Sequence, residues 1–136
     1  MLASQQIQID LDVPFPVAEA FLSEAHNYSL WASGLGAGIK AGPNPDWWIA
    51  DSPAGQVMIR FSHPNKVGIF DHWVKLENGT EIYIPMRLIP NQDGCLLVFT
   101  LFRQPGMTDE QFVNDKQWVE KDLQQLKGCL QSRLSG

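Results

Sequence analysis

The chain ends in a single long amphipathic helix, and everything before it must supply the surface on which that helix packs. Thr108-Asp109-Glu110-Gln111 forms a capping box with acids in the first turn. Phe112, Val119, Leu123, Leu126 and Leu130 then recur at helical spacing, flanked by Trp118. Lys127 and Arg133 sit near the end, where they favour the helix dipole. About 24 residues at 1.5 Å each make roughly 36 Å, enough to cross a whole sheet.

The preceding residues read as that sheet. Ile7, Ile9, Leu11 and Val13 alternate with Gln8, Asp10 and Asp12, the pattern of a half-buried strand over Gln5 to Val13. Pro14 and Pro16 end it, and Pro16 suits a first helical turn. Val17, Ala20, Phe21 and Leu22 give a short helical stripe. Tyr28 and Trp31, three apart, mark a second short helix over Asn27 to Ser33, closed by Gly34, Gly36 and Gly38. Strands are then expected at Trp47–Asp51, Gln56–Ser62, Lys66–Leu76, Thr80–Ile89 and Cys95–Arg103. Turn signals separate them at Ser52-Pro53-Ala54-Gly55, His63-Pro64-Asn65, Asn78-Gly79 and Asn91-Gln92-Asp93-Gly94. Loops this short make successive strands antiparallel.

The hairpin at Asn78-Gly79 leaves a fork. A two-residue loop pairs Glu77 with Thr80 and sets His72 on one face with Tyr83 and Arg87. A three-residue loop with a bulge at Gly79 pairs Leu76 with Thr80 and aligns His72 with Ile84 and Met86. Apolar matching favours the bulged loop, because a one-residue slip moves every side chain to the other face. Pro85 adds a further sign of a bulge or a lost ladder bond.

At 136 residues the chain is sized for a single domain over 1–136, with core enough to need no metal or disulfide staple. Its net charge of −5 and lack of a basic run make it a poor partner for nucleic acid or anionic lipid. No stretch is long and apolar enough to suggest a membrane span, and the start does not read as a secretory signal. Cys95 and Cys129 read as reduced thiols, which points to a cytoplasmic location. Histidines and cysteines lack metal-site spacing, no phosphate-binding glycine loop or nucleophile elbow occurs, and no cofactor is expected.

Strand, two short helices, antiparallel meander and long terminal helix follow one another in the order of a known architecture. Three segments carry the likeness: IDLDVPFPVAEAFL with Tyr28 and Trp31 after it, FDHWVKLENGTEIYIPMRLIP, and LVFTLFRQPGMTDEQF. From Ile7 to Leu130 the chain resembles the START-like or SRPBCC superfamily, and the last two segments look like its bacterial polyketide-cyclase-like subset. The resemblance implies an α+β helix-grip fold, a curved antiparallel sheet wrapped around a long C-terminal helix with two short helices after the first strand. It also implies a cavity between sheet and C-terminal helix for an apolar or amphipathic small molecule. Members range from carriers to cyclases and hydrolases, and no catalytic motif is carried over, so fold does not settle function.

Candidate residues for such a cavity are Trp31, Trp48, Phe70, His72, Tyr83, Met86, Arg87 and Trp118. Asp71 and His72 resemble a dyad, but neighbours in a strand point to opposite faces, so Asp71 does not orient His72. The plainer reading of His72 is a hydrogen-bonded histidine. Arg87 and Arg103 lie in apolar strands and need either a ligand anion or a carboxylate such as Glu81, Asp71 or Asp115. The five tryptophans suit cavity walls or ordinary packing. Both faces of the last strand are apolar: Leu97, Phe99 and Leu101 oppose Leu96, Val98 and Phe102. This suggests a homodimer through the outer sheet face, or cover by the chain's own loops.

Three functions fit: a small-molecule-binding protein, an enzyme of cyclase, dehydratase or hydrolase type using His72, Tyr83 or Arg87, and an interaction module docking through its sheet. Two titratable groups within hydrogen-bond reach inside one pocket would speak for the enzyme.

Overall fold

Strand β1 (Ser4–Leu11) buries Ile7, Ile9 and Leu11 and exposes the residues between them, as its alternation dictates. Pro14 caps α1 (Phe15–Ser23), its carbonyl accepting from the backbone N–H groups of Val17 and Ala18 at 3.0 and 3.2 Å. Helix α1 buries Phe21 and, in place of Ala20, Ala18. A 3₁₀ turn at Ala25–Asn27 leads into the one-turn helix α2 (Tyr28–Trp31). The computed structural model describes residues 1–32, 35, 38–53 and 55–135. Ser33, Gly34 and Gly36, expected to end the second helix, and Ala54 of the expected turn lie outside them.

The meander comprises β2 (Ile39–Ala41), β3 (Trp48–Ser52), β4 (Gly55–Phe61), β5 (His72–Lys75), β6 (Glu81–Ile84), β7 (Met86–Asn91) and β8 (Gly94–Phe102). All pairs are antiparallel. The order is β2-β3-β4-β5-β6 on one side and β1-β8-β7 on the other. Strand β7 continues β6 past Pro85, and the Thr100 N–H donates to the Pro85 carbonyl at 3.0 Å, so the ladder turns this corner without ending. The result is one strongly curved sheet.

Three details differ from the sequence expectation. The short edge strand β2 has no counterpart in the sequence expectation. The strand expected at Lys66–Leu76 starts only at His72, and residues 62–71 form an irregular segment. Asn65 pins that segment: its Oδ1 accepts from the Val67 and Ile69 N–H groups, and its Nδ2 donates to the His63 and Ile69 carbonyls. The strand expected at Thr80–Ile89 breaks at Pro85, which has no N–H to offer a ladder.

The hairpin fork resolves to the bulged loop. His72 pairs with Ile84 and Trp73 with Tyr83. The Leu76 N–H donates to the Thr80 carbonyl at 2.9 Å, and Gly79 adopts φ +89°, a conformation glycine tolerates best. Val57, Ile59, His72, Met86, Leu88, Leu97 and Phe99 are therefore buried on the concave face.

Helix α3 (Asp109–Ser135) fills the concavity. Its capping box forms as expected, with Thr108 N–H to Gln111 Oε1 at 2.9 Å and Gln111 N–H to Thr108 Oγ1 at 3.1 Å. Leu123, Leu126 and Leu130 are fully buried, whereas Phe112 and Val119 are only partly so. The Arg133 guanidinium lies 4.6 Å over the Phe21 ring and ties the helix end to α1. No helix among the described residues is long and apolar enough to cross a membrane. Cys95 and Cys129 are free thiols, Cys95 buried.

Candidate functional site

A pocket of about 230 Å³ opens between the short helices and the sheet. Its helical wall is Phe21, Leu22, Ala25, Tyr28 and Trp31, from α1, the 3₁₀ turn and α2. Its sheet wall is Trp48, Phe61, His72 and Met86, and the irregular segment adds Asn65, Ile69 and Phe70. Each origin is local. The turn at 25–27 swings Tyr28 and Trp31 inward. Concave-face alternation brings Trp48, Phe61 and His72 to the same side, through the pairings Trp48 with Ile59 and Phe61 with His72. Asn65 holds the loop that delivers Ile69 and Phe70.

Five of the expected cavity residues, Trp31, Trp48, Phe70, His72 and Met86, line this pocket. This pocket lies elsewhere than the cavity the resemblance implies, since no described residue of α3 lines it; a separate, more open cleft of about 560 Å³ runs between β1 and α3. The middle and C-terminal turns of that helix pack down through Leu123, Leu126 and Leu130, and the short helices wall the pocket instead. Trp118 points away and is 51% exposed on α3.

Two polar groups meet at the inner end. Tyr28 Oη and His72 Nε2 are 3.2 Å apart, and His72 Nδ1 lies 3.2 Å from the Phe70 carbonyl. Aromatic rings surround them: Tyr28 stands edge-on to Trp31 and Phe61 with centroids at 5.1 and 5.4 Å, and Phe99 faces His72 at 6.4 Å. Burial pushes the His72 pKa down to about 4, against the opposing pull of the Phe70 carbonyl and the Asp71 charge. Burial, then the charge of Asp122 on α3, raises the Tyr28 pKa far above its ordinary value. Both groups are neutral near pH 7. In the sequence Tyr28 marks only a second short helix with Trp31; that spacing says nothing of a partner 44 residues away.

Tyr83 and Arg87 do not reach the pocket. The bulged register sends both to the convex face, where they surround Asp71. That carboxylate accepts from Arg87 Nε at 2.9 Å, Arg87 Nη2 at 2.8 Å, Tyr83 Oη at 2.8 Å and the Met86 N–H at 2.9 Å. Burial works to raise the Asp71 pKa, but the bonds from Arg87, Met86 and Tyr83 outweigh it and hold the carboxyl below its usual range. Arg87 is thus paired with an internal carboxylate and stands outside this pocket. Arg103 is likewise satisfied, by Asp109 and the Met107 carbonyl.

The convex face also carries an aromatic ladder. Trp73 stacks on Tyr83 at 5.2 Å, Tyr83 faces Phe102 at 6.3 Å, and the Arg60 guanidinium lies 4.1 Å over Trp73. Trp73, Tyr83 and Phe102 of this face thus pack on one another within the chain. Among the described residues no group of three or more His, Cys, Asp and Glu is placed to hold a metal ion.

Comparison with known proteins gives a fold and no sequence relative. No family model and no curated protein matches the chain. Among solved structures, a START superfamily protein from Mycobacterium smegmatis superposes with a TM-score of 0.74 at 11% identity, over 95% of this chain and 97% of that one. The fold is the START-like helix grip. An uncharacterised protein from Bacillus thuringiensis gives a TM-score of 0.76 at 11% identity, over 94% of this chain and 98% of that one. DynU16, a protein of the dynemicin biosynthetic locus, gives 0.68 at 17% identity over 94% of this chain, which spans only 47% of DynU16. At such identities the START-like likeness is one of architecture.

Proposed function

We propose that this protein binds a small apolar or amphipathic molecule in the pocket between α1–α2 and the irregular segment 62–71. One observation carries the reading: an aromatic-walled concavity closes over the hydrogen-bonded Tyr28–His72 pair, with His72 fully buried. That is the ordinary make-up of a small-molecule site, apolar walls with few polar groups that fix orientation. The START-like fold supports it as analogy. The volume, about 230 Å³, falls below the roughly 300–1,000 Å³ of drug-sized sites, so the guest is small.

Native mass spectrometry of protein taken gently from cells tests this, paired with tryptophan fluorescence, since Trp31 and Trp48 line the pocket. A bound mass lost on denaturation, with a fluorescence change on rebinding, is the expected result. Protein without a bound mass, and without response to a library of small aromatic compounds, would overturn the reading.

The Tyr28–His72 contact favours one further reading. Two titratable groups within hydrogen-bond reach inside one pocket can move a proton on an enolisable ketone, with the Tyr28 oxygen taking the substrate proton as its own passes to neutral His72. Solvent-deuterium exchange at the α-carbon of 2-tetralone, followed by proton NMR, tests it. Exchange above background that His72→Gln abolishes supports an enzyme, and background exchange alone excludes the reading for this ketone class.

A further inference from the structure

The hydrogen bonds at the inner end of the pocket run in one direction. The Phe70 carbonyl can only accept, so His72 Nδ1, 3.2 Å from it, carries the proton. A neutral imidazole has one such proton, which leaves Nε2 as an acceptor. The Tyr28 hydroxyl, 3.2 Å from Nε2, therefore donates to it. The reverse tautomer would set the Nδ1 lone pair against the carbonyl oxygen. Burial keeps the ring neutral, with its pKa down to about 4. With its O–H donated in a hydrogen bond to His72, the Tyr28 oxygen has only lone pairs to offer.

Electrostatics point the same way. The pocket lining includes no lysine or arginine among the described residues. The Asp122 carboxylate acts on Tyr28 from α3, and Arg87 is committed to Asp71 on the opposite face. An anion entering here would lose water and gain no counter-charge. The walls are flat rings: Phe21, Trp31, Trp48, Phe61 and Phe70.

Resting on the reading that the pocket holds a guest, we propose that its polar end is a hydrogen-bond acceptor, selecting a neutral ring-bodied molecule that presents a hydroxyl or N–H donor and rejecting carboxylates. An ether or ketone of the same shape would set oxygen against oxygen and leave a buried acceptor unpaired, which disfavours it by about tenfold.

The test uses the full chain and three probes: 2-naphthol, 2-methoxynaphthalene and 2-naphthoate. Binding is followed by tryptophan fluorescence and calorimetry at pH 7. The expected order is 2-naphthol about tenfold tighter than the ether, with no measurable binding of the carboxylate. Nitrogen-15 NMR should show His72 as the Nδ1–H tautomer. In His72→Leu the Tyr28 hydroxyl loses its acceptor and becomes a donor toward the pocket, so the naphthol preference should vanish or invert. Equal binding of naphthol and ether by the wild type, tight naphthoate binding, or an Nε2–H tautomer overturns the proposal while leaving a binding pocket. Failure of all three probes removes the pocket reading itself for ring-bodied guests, and the inference with it. Should His72→Leu not fold, the wild-type ligand order and the tautomer decide alone.

Discussion

Asp71 accepts the backbone N–H of Met86 at 2.9 Å, in the residue that follows Pro85. The sheet bends at this proline, and the carboxylate supplies the acceptor that a straight ladder would otherwise give. The same side chain takes two bonds from Arg87 and one from Tyr83, on a residue only 6% exposed. Asp71 is therefore the pin that joins β6 to β7 and fixes where Met86 enters the pocket.

Asp71→Ala should destabilise the fold by about 2–4 kcal/mol, because it strands a buried N–H and removes a charge-assisted bond network. Arg87→Ala should cost less. Arg87 is about half exposed and rehydrates, and the Tyr83 and Met86 donors still satisfy the carboxylate. Urea unfolding of the two single variants checks the order. Equal losses, or a loss under 1 kcal/mol for Asp71→Ala, would refute the role of the pin.

His72 makes stability fall in mild acid. Unfolded, it takes a proton near pH 6.5; folded, burial delays protonation to about pH 4. Between these values the unfolded state binds more protons, so stability drops as pH falls, by about 3 kcal/mol over the whole window. The charges acting near it are Asp71 on His72 and Asp122 on its partner Tyr28. Asp71, with its lowered pKa, adds a loss only below its unfolded value of 3.8. Asp115 is raised by burial and offsets part of the loss as pH falls toward that value. In His72→Gln the slope between pH 6.5 and 4 should flatten. Denaturant midpoints at half-unit pH steps measure it, and an unchanged slope in the variant would place the acid sensitivity elsewhere.

The parts of the fold that rest on local chemistry were legible in the chain. Thr108 and Gln111 announce the start of α3, and Ile7, Ile9 and Leu11 announce a strand with one buried face. Apolar matching of His72 with Ile84 chose the correct hairpin register over the one that would have placed Tyr83 and Arg87 inside. The site was legible only in part, because its remaining determinants are long-range. The alternation of Phe70, His72, Val74 and Leu76 looks like unbroken strand, yet the bonds of Asn65 and the backbone of Gly68 override it below His72. Tyr28 meets His72 across 44 residues, a distance no periodicity reports. The resemblance implies a cavity between α3 and the sheet. Leu123, Leu126 and Leu130 pack down fully, the aromatic-walled pocket lies under the short helices, and the space between β1 and α3 is a more open, polar-edged cleft.

Asn65 should govern the pocket without touching its inner end. Its side-chain oxygen and nitrogen hold the Val67 and Ile69 N–H groups and the His63 and Ile69 carbonyls at 2.9–3.1 Å. Asn65→Ala frees these groups on an exposed segment where water replaces part of the loss, so stability should fall by only about 1 kcal/mol. Ile69 and Phe70 lose their fixed positions, so affinity for 2-naphthol should drop severalfold. Calorimetric binding beside a thermal melt separates the two effects. Affinity unchanged in a folded variant would show that the loop is held by other means.

Gly68 offers the sharpest check on how that segment docks. Its φ is +82°, and a Cβ built there would stand 2.1 Å from the Leu88 carbonyl oxygen, a backbone atom that cannot swing aside. The same residue's carbonyl accepts the Leu88 N–H at 2.8 Å, so retreat from the clash would break the bond that docks the loop on β7. Gly68→Ala should therefore cost more than the ~1–3 kcal/mol of a strained backbone alone, and should weaken probe binding by displacing Ile69 and Phe70. Gly79→Ala is the control: its φ is +89° but nothing lies within 4 Å of a Cβ there. It should show only the backbone term and leave binding unchanged, since Gly79 sits in the distant hairpin. Equal destabilisation of the two variants in urea would mean that the segment can lift from β7 at little cost and that the pocket floor is not fixed.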